Sequence, residues 1–146
     1  NVNASGMTAQ RLRMDVISEN VANANTTRTE DGTPYTRKIV TFATKGAEGA
    51  THASAFHKVL KGASAAYVGQ GVKVNGIYED KESEQNLVYD PSHPDADENG
   101  YVWYPNVNIV TEMTNLIDAS RAYEANATAF NASKSIAQQG LQMGQS

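Results

Sequence analysis

The chain has 146 residues, no cysteine, and 12 Lys+Arg against 16 Asp+Glu, a net charge of −4. That length suits one domain, or a small domain with long extensions, and the lack of thiols excludes a disulfide frame, a zinc–thiolate site and a cysteine nucleophile. So mild a charge gives no electrostatic reason to expect nucleic acid or an anionic membrane as a partner. No apolar run nears the ~18–20 residues that span a bilayer, and no basic-then-apolar leader opens the sequence. Leu, Ile, Val and Phe make up 26 of the 146 residues. That is below the roughly 20% at which a self-sufficient core becomes doubtful. Such a composition favours a chain that finishes burying itself against copies or partners.

The first segment, Val2 to Ala24, contains no proline and one glycine and reads as a helix. Met7, Met14 and Val21 recur every seven residues, with Ile17 and Ala24 on the companion row; Gln10 interrupts that row. A seven-residue apolar repeat makes a seam for another helix. Asn20, Asn23 and Asn25 suit the helix end, because asparagine tolerates the left-handed conformation that closes one.

From Asp31 to Tyr104 the pattern turns to strands. Thr36–Phe42 is β-branched and aromatic, Gly71–Tyr78 alternates apolar and polar, and Leu87–Tyr89 and Tyr101–Tyr104 flank a turn-rich stretch. These predict a small β-rich module. Ala43 to Ser54 reads as loop, and Ala55 to Tyr67 is ambiguous between helix and strand. Glu79, Asp80, Glu82, Glu84, Asp90, Asp95, Asp97 and Glu98 are interrupted only by Lys81, the pattern of a solvated outer surface.

After Pro105, with Asn106 or Asn108 as cap, a helix is predicted to about Gly140. Ile109, Leu116, Tyr123, Phe130 and Ala137 follow one another at seven-residue steps, with Met113 on the neighbouring row. At ~100° per residue, Ala122, Ala125, Ala129 and Ala132 fall on roughly the opposite face. A helix with bulky knobs on one side and a small-residue groove on the other has more than one neighbour. The two terminal helices pairing within one chain would leave the alanine face bare. The predicted class is therefore α+β, with residues 1–27 and 106–146 as coiled-coil helices around a β-rich middle at 28–105.

Catalytic and metal chemistry find little support. His52 and His57 are five apart, not the four that places two imidazoles on one helix face. Asp95-Ala-Asp97-Glu-Asn99-Gly100 resembles the first half of a calcium loop, but position 12 is Asn106, which cannot supply the bidentate carboxylate. A tight acidic turn between strands explains it equally well. We assign no catalytic, cofactor-binding or metal-ligating residue. A secreted calcium- or metal-binding module using His93, Asp95, Asp97 and Asn99 is the alternative reading.

Two stretches carry a family resemblance. Ala4-Ser-Gly-Met-Thr-Ala-Gln-Arg-Leu-Arg-Met-Asp-Val-Ile-Ser-Glu-Asn-Val-Ala-Asn-Ala-Asn-Thr-Thr27 resembles the N-terminal signature of bacterial flagellar axial proteins, the rod, hook and hook-associated subunits. Asn106-Val-Asn-Ile-Val-Thr-Glu-Met-Thr-Asn-Leu-Ile-Asp-Ala-Ser-Arg-Ala-Tyr-Glu-Ala-Asn126 resembles their C-terminal signature. Thr27–Lys38 and Val88–Pro105 resemble the proximal-rod members; Arg28 stands where other rod subunits carry a glycine followed by Tyr or Phe. The likeness leaves Thr44 to Tyr67 unmatched. It implies a non-enzymatic structural subunit of the basal-body rod, exported without a cleaved signal and lying in the periplasm-spanning axial shaft. Implied partners are copies of itself, other rod subunits of the FlgB, FlgF and FlgG types, and the ring or export-gate adaptor at the rod base. The expected assembly surface is Met7, Met14, Ile17, Val21, Ile109, Met113, Leu116, Tyr123 and Phe130, with Ala122, Ala125, Ala129 and Ala132 meeting a second neighbour.

Overall fold

The computed structural model describes residues 2–45 and 71–144. In chain order these form α1 (Val2–Ala22), β1 (Lys38–Thr44), β2 (Val72–Glu79), β3 (Asn86–Tyr89), β4 (Tyr101–Tyr104) and α2 (Ile109–Met143). This is the α+β arrangement expected, with helices at the ends and strands between. The loop expected over Ala43–Ser54 is strand at Ala43 and Thr44 and turn at Lys45; its remainder, like Ala55–Tyr67, His52 and His57, lies outside the described residues.

The Asn108 side chain accepts from the Thr111 N–H at 3.1 Å and caps α2. At a rise of ~1.5 Å per residue its 35 residues span about 52 Å. The end of α1 forms differently from the expectation. No residue other than glycine takes a positive φ among the described residues, so no asparagine turns left-handed there. Instead the Asn23 amide donates to the Glu19 carbonyl and the Thr26 N–H donates to the Asn23 carbonyl, so a hydrogen-bonded turn closes the helix.

Each pair of strands is an antiparallel ribbon, β1 with β2 and β3 with β4. In the first, Lys38 faces Glu79 and Thr44 faces Val72, with a bulge between Thr41 and Phe42. Strand β1 starts two residues later than its composition predicts. The reason is that Tyr35 and Arg37 direct their N–H groups elsewhere, to the Thr26 carbonyl and to Asn106 Oδ1. Gly71 opens β2 at φ 78°, and a side chain there would also place its Cβ 2.5 Å from Ser5 Oγ, the atom that accepts the Val72 N–H. That serine bond ties the ribbon to α1.

The helices run antiparallel, since Asn20 meets Glu112 at one end and Gly6 lies against Asn126 at the other. Helix α1 therefore lies between α2 and the β1–β2 ribbon. The apolar core is sparse, as composition implied: Ala9, Val16, Ile17, Ala24, Tyr35, Val102, Val107 and Ala119 are its buried members among the described residues.

Candidate assembly surface

Apolar periodicity selects large side chains, yet the line along which α2 meets α1 consists of small and polar ones. Glu112 and Ala119 are buried and Asn126 is half-buried, seven residues apart on one row. On α1 the buried side chains are Ser5, Ala9, Val16, Ile17 and Asn20. An ideal Cβ at Gly6 would lie 2.9 Å from Asn126 Oδ1, so this close approach uses the missing side chain. Small residues let the two backbones come together.

The end of this seam holds a buried polar node. The Asn20 amide donates to the Lys38 carbonyl at 2.8 Å and to Glu112 Oε2 at 3.2 Å. Its oxygen accepts the Lys38 N–H at 2.8 Å and the Tyr35 hydroxyl at 2.9 Å. Glu112, 1% exposed, accepts from Arg37 Nε in an ion pair. Arg37 also reaches Asp80 at 3.3 Å. Asn106 joins the same group, donating to the carbonyls of Asp80 and Ser83. Four segments distant in sequence are thus fastened at one place. Residues with such demanding partners fix register, because a slip of either helix would strand a buried carboxylate.

Hydrogen bonds from the Ser83 backbone and hydroxyl, helped by Glu82 and Arg37, hold the Asp80 carboxyl below its ordinary range against the opposing effect of desolvation. Burial pushes the Tyr35 phenol up to about 12, aided by the negative charges of Glu19, Glu112 and Glu79. A folded-state value above the unfolded one means that the neutral hydroxyl's contribution is complete below pH 10 and disappears as pH rises through about 12. Stability of the purified chain is therefore expected to fall across that alkaline window. Tyr35→Phe, with no proton to lose there, should flatten the decline in a pH series of urea melts; an unchanged slope would remove Tyr35 as its cause.

Sequence reasoning missed this node, treating Asn20 as a helix ender and giving Glu112 no role. The available signal was position: Glu112 lies on the same seven-residue row as Ala119 and Asn126, where an isolated acid has no reason to be unless paired.

The residues expected to form the assembly surface fall into three groups. Ile17 is buried within the chain. Met7, Met14, Val21, Leu116, Tyr123 and Ala122 are half-buried. Ile109, Met113, Phe130, Ala125, Ala129 and Ala132 are exposed. The exposed set extends further than apolar spacing showed. Val110 at 75% and Ile117 at 53% flank Met113, and Ile136, Leu141 and Met143 stand exposed toward the far end of α2. These exposed apolar side chains are spread along α2 from Val110 to Met143.

The acidic stretch between β3 and β4 is built as a turn. Asp97 Oδ1 accepts the N–H groups of Asn99 and Tyr101, and Asp95 accepts from the Thr27 hydroxyl at 2.8 Å while pairing with Arg28 at 3.6 Å. The His93 ring nitrogen Nδ1 accepts the Asp95 N–H. These groups answer to the chain itself, and among the described residues no three acidic or histidine side chains converge as a metal set would. No helix among them is long and apolar enough to cross a membrane.

Comparison with known proteins places this architecture. Residues 1–28 match the family model described as flagella basal body rod protein, and residues 98–143 match that of the flagellar basal body rod FlgEFG protein C-terminal region. The chain is 46% identical to the flagellar basal-body rod protein FlgC of Bacillus subtilis, over 99% of this chain and 95% of that protein. It is 48% identical to the FlgC of Borreliella burgdorferi, over 97% of this chain and 92% of the other. It is 38% identical to that of Escherichia coli O6:H1, with the same coverage of 97% and 92%. With both helical ends matched by rod models and nearly the whole length shared with these relatives, the chain belongs to the FlgC family of flagellar basal-body rod proteins.

Proposed function

We propose that this chain is a non-enzymatic subunit of the proximal rod, and that it transmits torque by packing its terminal helices among those of neighbouring subunits. The observation carrying this reading is the uncovered apolar face of α2. After α1 has been packed against one side, Val110, Met113 and Ile117 remain exposed together, and Phe130, Ile136 and Leu141 follow along the same helix. Knobs from such a face, held in holes of adjacent helices, resist twisting because sliding requires each knob to leave its hole.

In this reading residues 1–27 and 106–146 build an inner helical layer, and residues 28–105 stand outside it. The seam consists of Met7, Met14, Ile17, Val21, Ile109, Met113, Leu116, Tyr123 and Phe130, and the alanine row from Ala122 to Ala132 meets another neighbour. The neighbours are copies of this chain, other rod subunits, and the adaptor at the base of the rod. The location is the periplasm-spanning part of the basal body, reached by export without a cleaved signal.

A complementation experiment tests the proposal. Ile117→Asp puts a charge on a side chain 53% exposed in the single chain, so the folded monomer should keep its melting midpoint. Buried in an assembly, that charge costs several kcal/mol, on the order of one helix's share of an interface. Cells lacking their own copy and supplied with the variant are expected to be non-motile and to lack rods in purified basal bodies. Normal rods from Ile117→Asp would remove this face from the assembly.

A further inference from the structure

The two β-ribbons carry opposite charge. Residues 37–45 and 71–79, which hold β1 and β2, contain Arg37, Lys38, Lys45 and Lys73 against Glu79 alone, a net +3, with Arg37 paired to Glu112 and Asp80 and Lys38 to Glu19 within the chain. Residues 80–104, which hold β3 and β4, contain seven acids against Lys81 alone, a net −6. With −4 overall, the chain outside 80–104 carries +2. The polarity is therefore concentrated in two neighbouring segments of one module.

Both ribbons also present apolar surface to solvent. In the acidic ribbon Leu87 faces Trp103 and Tyr89 faces Tyr101 across the ladder, which puts all four on one side. Leu87, Tyr89 and Trp103 are 48%, 64% and 48% exposed, while Val102 on the other side is 1% exposed. The Tyr89 and Tyr101 rings meet edge to face at 5.2 Å, forming a preset aromatic platform. In the basic ribbon Ile39, Phe42, Ile77 and Tyr78 are exposed. Among the described residues no strand of one ribbon contacts a strand of the other, and only the β1–β2 ribbon packs on α1.

We propose that the acidic ribbon of one copy docks on the basic ribbon of the next, with Trp103 at the centre of the contact. Charge complementarity selects the partner, and the aromatic platform supplies the burial. Tyr and Trp surrounded by charged residues form the composition that carries binding energy at interfaces. Since the two surfaces are different, the contact is heterologous and repeats from copy to copy, forming an open helical series in place of a closed dimer. A second copy satisfies both ribbons at once, whereas an unrelated basic protein would leave the β1–β2 surface bare. The inference rests on the rod reading for its setting, and adds an outer contact distinct from the helical layer.

The test replaces Trp103 with the photo-crosslinking residue p-benzoylphenylalanine in cells that assemble rods, followed by mapping of the joined peptides. The expected product links position 103 to residues 38–45 or 72–79 of a second copy. A link to a different protein, a link to a helix, or rods that form with no link at 103 overturns the proposal while leaving the rod reading intact. Absence of rods with the unaltered chain would instead sink the rod reading. In that case the same crosslink on concentrated purified chain in low salt decides the ribbon contact by the same mapping. A charge exchange adds a second readout. Lys45→Glu, and separately Glu84→Lys with Glu98→Lys, should each lower the crosslink yield severalfold, and combining all three should restore it. Yields insensitive to these changes would overturn the electrostatic pairing.

Discussion

Glu112→Ala is expected to destabilise the folded chain by about 3–5 kcal/mol, the range for removing one partner of a buried ion pair. The carboxylate is 1% exposed and engages both Arg37 and Asn20. Its loss leaves a guanidinium without its inner partner and one Asn20 bond unmade, in a place too closed for water to substitute freely. The carboxylate also lies in the first turn of α2, where the helix dipole favours negative charge. A double variant separates lost pairing from lost packing. Glu112→Leu with Arg37→Met replaces both charges by apolar groups of similar size and should recover most of the deficit, since an unpaired charge is what costs most. Urea melts of the parent and these two variants give the answer. A Glu112→Ala loss of less than about 1 kcal/mol would mean that the node behaves as a surface pair does.

Two alanines of α2 with different surroundings, Ala119 and Ala125, offer the second large contrast. Ala119 is 0% exposed in the helix–helix seam, whereas Ala125 is exposed on the same helix. Ala119→Phe forces a ring into a line where the helices approach through Gly6, Ala9 and Ser5. Overpacking of this kind costs about 1–3 kcal/mol, and more where backbones must separate. Ala125→Phe should leave the melt within about 0.5 kcal/mol of the parent, as surface changes do. If the alanine row meets a neighbour, it should nevertheless prevent rods from forming. The pair is read by denaturation of the purified chain and by counting rods in basal-body preparations. Equal losses of stability in the two variants would contradict the geometry of α2.

The contrast explains what could be seen in the sequence. Element types were legible, because proline-free stretches with seven-residue spacing and β-branched runs are local signals. The Asn108 cap and the strands β2 and β4 fall within a residue of expectation. The start of β1 was not legible, since Arg37 leaves the ladder to reach Asn106, 69 residues away. The seam inside the chain escaped for a related reason. Apolar spacing finds rows of large side chains, and the row at 112, 119 and 126 contains an acid, an alanine and an asparagine. Nothing local announces that Glu112 is buried; its partners Asn20 and Arg37 come from the opposite end of the chain.

That separation shapes how the chain reaches its final form. Asn20 and Glu112 are 92 residues apart, and closing so long a loop must precede any reward from the contact. Whenever the polypeptide emerges gradually from its N-terminal end, whether from a ribosome or a narrow conduit, α1 has no helical mate until more than three-quarters of the chain has appeared. Premature locking is prevented by order of arrival alone. The last helix to emerge completes the first, so the molecule stays threadable until its passage is nearly finished.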